Sequence, residues 1–175
     1  MRNLIWLGLI PLGSCGAVQA QNDESCGPQS GLCWPVVKRG ASGPRVVALQ
    51  YLLRAKGIKL APDGRFGFST ESALRKFQAK NRLQVDGKIG WQSWEALTPS
   101  LEKGFRSDGV RALQTLLNSK GKKVARDGIF GSATQKALAS FQKPLGLASN
   151  SGTDGSTADD WVWCYLCGGG SAVGD

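Results

Sequence analysis

Histidine is absent from all 175 residues. Its absence removes the commonest general base and the commonest zinc ligand together. Ser and Lys are plentiful, yet none stands in a recognisable nucleophile motif. No groove-reading motif or aromatic-rich sheet signature accompanies the basic residues, so nucleic acid is not an expected partner. Apolar runs are short. Leu4-Ile5-Trp6-Leu7-Gly8-Leu9-Ile10 is too brief to span a bilayer comfortably, and nothing later in the chain does better. With Arg2 ahead of it and Val18-Gln19-Ala20 behind, it reads as an export leader (1–20) cleaved after Ala20. A rival reading takes Leu12-Gly13-Ser14-Cys15 as a lipobox, with a lipid on Cys15 anchoring the mature chain. Both readings place the protein outside the cell, secreted in the first.

Cysteine is sparse but informative. Loss of the leader removes Cys15 and leaves Cys26, Cys33, Cys164 and Cys167. Four thiols in an exported chain imply two disulfides, with three possible pairings that the spacing does not separate. A redox role for Cys164-Tyr165-Leu166-Cys167 lacks the surrounding strand–helix pattern, and nothing calls for a metal or a cofactor. The formal charge is +9, carried by Lys and Arg spread over the chain. For an exported protein that charge suits a soluble surface or attraction to anionic wall polymers.

What the chain does have, it has twice. Asp63-Gly64-Arg65-Phe66-Gly67 returns 64 residues later as Asp127-Gly128-Ile129-Phe130-Gly131. The same offset carries Leu49-Gln50, Thr70, Ala73-Leu74 and Phe77-Gln78 onto Leu113-Gln114, Thr134, Ala137-Leu138 and Phe141-Gln142. Such self-similarity marks a duplicated unit. The organisation is then a Cys-bearing irregular lead-in (21–36), one module over 37–99, a second over 100–167 and a flexible tail (168–175). Val46, Leu49 and Leu53 make one helical face, echoed by Val110, Leu113 and Leu117. Gly57 and Gly121 stand where a helix C-cap needs positive φ. Each Asp-Gly-x-Phe-Gly segment reads as a tight turn in which Asp accepts local N–H groups and Phe enters the core. A second helix follows through Thr70, Ala73, Leu74 and Phe77, and again through Thr134, Ala137, Leu138 and Phe141. Ser132 with Gln135 has capping-box spacing, whereas the first copy starts its helix on Ser69 or Thr70. A third helix carries Trp91, Trp94 and Leu97. Its counterpart, Trp163 and Leu166, lies at an offset of 69, so the loop before it is longer. The fold class expected is all-α: two tandem three-helix modules with little or no sheet and disulfide-stabilised ends.

These repeats resemble the peptidoglycan-binding domain family of three-helix modules found beside bacterial cell-wall hydrolases. The likeness rests on Gly40-x-x-Gly43-x-x-Val46-x-x-Leu49-Gln50, on Asp63-Gly64-x-Phe66-Gly67-x-x-Thr70-x-x-Ala73-Leu74-x-x-Phe77-Gln78, and on Asp86-Gly87-x-Ile89-Gly90-x-x-x-Trp94-x-x-Leu97. The second copy matches from Val110 through Gln142, then loosely through Asp154-Gly155 and Trp163. It departs where Arg106-Ser107 replaces Ser42-Gly43. The resemblance implies noncovalent recognition of peptidoglycan by a monomer, in a groove beside the second helix and the Asp-Gly turns. Gln78, Gln142, Asp63 and Asp127 are the groove residues so implied, while Gln50 and Gln114 suit loop-pinning. Trp91 and Trp161, each near a core Trp, are candidates for stacking on sugar rings. Two weak sites on one chain would add on a polymeric wall.

Two alternatives stand beside this reading. A small muramidase would need two carboxylates flanking a glycosidic bond. Asp63, Asp86 and Asp127 begin turns, and Glu71 and Asp154 are further acidic groups. Asp159, Asp160 and Glu95 are the candidates left with the least structural explanation. The third reading is an exported interaction protein or inhibitor that uses the wall-binding scaffold on another ligand.

Overall fold

Helix α1 (Pro44–Ala55) opens on a proline, whose fixed φ suits the first helical turn, and stops before Gly57 at φ 85°. It buries Val46, Ala48, Leu49, Gln50, Leu52 and Leu53, more than one face of a helix. Its equivalent, helix α4 (Asp108–Ser119), likewise buries residues from Gly109 to Leu117. A helix apolar over so much of its circumference must be covered on two sides. Here the second cover is the other module: α1 and α4 pack against each other, with fully buried Ala48 and Ala112 at matching positions. The computed structural model describes Cys26, residues 32–145 and residues 155–171. The leader, Cys15 and Asp154 lie outside the described residues.

Helices α2 (Phe68–Lys80) and α3 (Trp91–Leu97) complete the first module; α5 (Ser132–Gln142) and α6 (Asp160–Cys167) complete the second. A short 3-10 turn, Lys143–Leu145, extends α5. The molecule is therefore mostly helical, three helices to a module. Four two-residue strands tie the ends: β1 (Leu32–Cys33) pairs antiparallel with β4 (Gly170–Ser171), and β2 (Leu101–Glu102) with β3 (Thr157–Ala158). An isolated bridge between Val37 and Ile89 in the first module matches the β2–β3 pairing in the second. Trp94 Nε1 donates to the Pro35 carbonyl at 2.9 Å, and Trp163 Nε1 to the Pro99 carbonyl at 2.8 Å, so even the entry segments are duplicated.

Several expectations need correction. Both second helices start at equivalent residues, Phe68 and Ser132, behind Gly67 and Gly131. Neither has a side-chain cap, and Thr70 and Thr134 point to the core, where each accepts from a Gln amide. The lead-in is not irregular throughout: Leu32 and Trp34 are buried, and Trp34 stacks on Trp94 with ring centroids 5.9 Å apart. The tail begins as strand β4, pinned because Gly169 lies against the Cys33 carbonyl and Cys164 Sγ, where a Cβ would not fit. Among the described residues one disulfide forms, Cys26–Cys33. Cys164 and Cys167 remain buried thiols. On helix α6, Cys164 Sγ donates to the Cys33 carbonyl at 3.2 Å, and Cys167 lines the module seam.

Candidate functional site

The Asp-Gly turns show how the motif works. Gln50 is buried, and its amide nitrogen donates to Asp63 Oδ1, the Arg65 carbonyl and Thr70 Oγ1 at 2.7–3.1 Å. Its oxygen accepts from Gly64 N. Asp63 Oδ1 also accepts Arg65 N at 2.9 Å. Gly64 takes φ 75° with its α-carbon so close to Val47 that an added Cβ would sit 2.9 Å from that side chain. Gln114, Asp127, Gly128, Ile129 and Thr134 repeat every one of these bonds. The N–H groups and amides hold both carboxyls below the ordinary range: Arg65 N–H then Gln50 for Asp63, Ile129 N–H then Gln114 for Asp127.

Gln78 does the same work one turn later. Its nitrogen donates to Asp86 Oδ1, the Lys88 carbonyl and Ser93 Oγ, and its oxygen accepts from Gly87 N at 3.0 Å. With 1% of its surface exposed, it has no amide atom to offer a ligand. Gln142 is equally buried but poorly matched: its nitrogen reaches the Thr157 carbonyl at 3.4 Å, and its oxygen has no partner among the described residues. One more residue separates Gly155 from Ala158 than separates Gly87 from Ile89. Trp91 and Trp161 are half-buried, each in the first turn of its own helix and packed on the core. The residues named from sequence are thus distributed among four turns and two helix starts, not gathered in one cleft.

Two of the three acidic candidates sit at the start of α6. Asp159 caps α6 by accepting from Val162 N at 3.1 Å. Asp160 accepts from Thr98 Oγ1 at 3.1 Å, and burial, reinforced by neighbouring Asp159 against that hydrogen bond, raises its carboxyl above the usual value. Glu95 lies half-buried on α3.

A concave site lies on the seam between modules. It is a groove of about 560 Å³ lined by the start of α1 (Ser42, Gly43, Pro44, Val47), the first turn (Asp63, Gly64, Arg65), the end of α4 (Thr115, Asn118, Ser119) and Arg126. A second groove of about 300 Å³ adjoins it through Ser42, Pro44 and Ser119, and adds Arg45 and Lys120. Neither contains an aromatic side chain. Thr115 and Ser119 donate their hydroxyl protons to the Arg111 and Leu116 carbonyls, and Asn118 turns its amide onto Val124. The side-chain donors left facing the larger groove include the Arg65 and Arg126 guanidiniums. Asp63 is its carboxylate.

The peptidoglycan binding domain model matches residues 42–97 and 106–156, one segment for each module and more than half of the chain. The chain belongs to the peptidoglycan binding domain family. Among its relatives, a spore cortex-lytic enzyme of Bacillus cereus is 38% identical over 119 residues, 67% of this chain and 41% of that protein. The N-acetylmuramoyl-L-alanine amidase CwlL of Bacillus licheniformis is 31% identical over 150 residues, 66% of this chain and 42% of that protein. The chain thus spans about two fifths of these relatives' length. Two solved structures are similar over 36% of the chain. The SleB N-terminal domain is 44% identical, with 88% of that chain covered and a TM-score of 0.35. A peptidoglycan-binding protein from Clostridioides difficile, in complex with glutamine hydroxamate, is 38% identical, with 40% covered and a TM-score of 0.36. Among the described residues no helix is long and apolar enough to cross a membrane.

Proposed function

We propose that this chain is an exported, noncatalytic peptidoglycan-binding protein whose two modules act on the cell wall as one body. Family membership of both modules supports the polymer as partner. The observation that carries the rest is the open basic groove on the seam, built from α1 of one module and α4 of the other. Gln50, Gln78 and Gln114 brace turns, so contact with the wall falls to side chains around that groove. A leader pattern at 1–20 supports export. Sedimentation with purified insoluble peptidoglycan tests the reading: the full chain should pellet with the wall at low salt. Recovery entirely in the supernatant would defeat it.

A hydrolytic reading draws on one observation, the raised carboxyl of Asp160 at the start of α6, which is the direction a general acid needs. That carboxyl accepts Thr98 Oγ1 and follows the cap of α6, so helix-end packing accounts for it equally. Release of reducing sugars from the same wall material, lost in Asp160→Asn, would favour hydrolysis over attachment.

A further inference from the structure

Helices α1 and α4 run antiparallel across the seam, because the start of α1 faces the end of α4 in the groove while Arg54, near the end of α1, meets Asp108 at the start of α4. Two copies of one module packed this way are related by an approximate two-fold, and such a seam has two equivalent crevices. They are not treated alike. At one crevice Arg54 pairs with Asp108 at 3.1 Å, Arg111 pairs with the same carboxylate at 2.9 Å, and Arg54 lies over the Tyr51 ring. At the other, the residues 64 positions away are Asn118, Pro44, Val47 and Thr115. None of these can make an ion pair. The crevice they line stays open, and it gains Arg126 where the closed side has Pro62, and Arg65 where it has Ile129. Among the described residues neither Arg65 nor Arg126 forms a salt bridge.

We infer that this open crevice is the ligand site and that it takes the peptide part of the wall polymer, with Arg65 and Arg126 clamping stem-peptide carboxylates from opposite modules. The inference rests on the wall-binding reading above and narrows it. Guanidinium is the side chain best shaped for carboxylate, through two parallel N–H bonds. Sugar rings call for aromatic faces, and the groove has none. The single carboxylate, Asp63, sits beside the two cations. That mixture fits a peptide end bearing carboxylates and an amino group better than a uniform chain of phosphodiesters. The adjoining groove with Arg45 and Lys120 extends the basic path along the seam, long enough for more than one residue of peptide.

The test uses the full chain and three probes: teichoic-acid-free peptidoglycan sacculi, soluble disaccharide-tetrapeptide, and glycan strands stripped of peptide. Wild-type protein should bind the first two and ignore the third. Loss of one charge-assisted clamp should weaken binding about tenfold in Arg65→Gln or Arg126→Gln, with a greater loss in the double variant. Lys80→Gln, an exposed charge at the end of α2, serves as the charge control and should bind as wild type. Circular dichroism should give all variants the wild-type spectrum, since both arginines are exposed. A double variant that still binds sacculi like wild type would remove the groove and leave wall binding standing. Binding to stripped glycan alone, or only to walls that retain teichoic acid, would overturn the peptide assignment. A wild-type protein that binds no wall material would overturn both readings.

Discussion

Replacing each of two equivalent glutamines with methionine should give very different results. Met keeps the length of the side chain and removes its polar atoms. In Gln78→Met, buried Gly87 N and Ser93 Oγ both lose their partner, and the half-buried Lys88 carbonyl and Asp86 carboxylate each lose one bond. Each buried group left unsatisfied costs about 1–3 kcal/mol, so the total should be about 4 kcal/mol. In Gln142→Met the loss among the described residues is one 3.4 Å bond, offset by removal of an oxygen already without a partner there. That change should fall within about 1 kcal/mol of zero. For a chain of this size each kcal/mol moves the midpoint by about 2–4 °C, which separates the variants by about 6–20 °C. Thermal and urea unfolding followed by circular dichroism would measure both, with an unchanged urea slope showing that stability alone has moved. Similar losses in the two variants would refute the view that the first turn is braced by its glutamine and the second is not. Wall binding by folded Gln78→Met, measured well below its midpoint, should match wild type, because the amide faces inward.

Gly155→Ala should cost more than 3 kcal/mol or prevent folding, since the new Cβ would strike the Gln135 carbonyl and Ala139 N of α5; recovery of wild-type stability would contradict the close approach. Cys164 and Cys167 should resist alkylation in the native protein and react after unfolding, because both are buried and burial pushes the Cys167 thiol up to about 12; mass spectrometry after a timed iodoacetamide pulse would count them. Asp159→Ala should lower stability by about 1 kcal/mol through loss of the α6 cap. Asp160→Asn should leave neutral-pH stability equal or higher. A carboxyl raised by folding stabilises the native state only when protonated and penalises it as pH rises through the folded pKa, whereas lowered Asp63 and Asp127 contribute above their unfolded value of 3.8 and lose that contribution as acid protonates them. Unfolding of wild type and Asp160→Asn between pH 3 and 8 separates the two signs.

The parts legible in the sequence were those set by short-range chemistry. Duplication, three helices to a module, Gly57 and Gly121 beyond helix ends, and Asp63 and Asp127 accepting N–H groups in their turns all follow from residue type and spacing. Gln50 and Gln114 as turn braces were legible too. The seam was not, because a pattern of apolar positions tells which face is covered and not by what. A sign of it was present: Ala48 and Leu52 widen the apolar arc of α1 past a single face, as Ala112 and Leu116 do in α4. Trp34 was hidden in a stretch whose Gly, Pro and Ser content reads as loop. The cap expected at Ser132 failed because glycine at 131 already sets the extended entry that a side-chain cap would otherwise secure. For the site, the family motif pointed to Gln78 and Gln142 because motif residues recur, yet recurrence here reports the demands of the turn. The residues offered to a ligand are the ones that differ between copies.

That difference can be engineered. Pro44→Asp together with Asn118→Arg would transplant the Arg54–Asp108 pair from the closed crevice to the open one. Asp would also stand at the first turn of α1, where a negative charge is favourable. Against this, Asn118 gives up its bonds to Val124 and the Gln114 carbonyl, at a cost of about 1–2 kcal/mol. A partly exposed ion pair returns at most about 1 kcal/mol, so the double variant should be folded and slightly less stable than wild type. Its wall binding should fall at least as far as in the arginine double variant, even though Arg65 and Arg126 remain, because the transplanted pair occupies their groove. Restoring Asn118 alone should reopen the crevice and recover much of the affinity. If the zipped protein binds sacculi as wild type does, the asymmetry of the seam serves packing only, and the ligand meets the protein elsewhere.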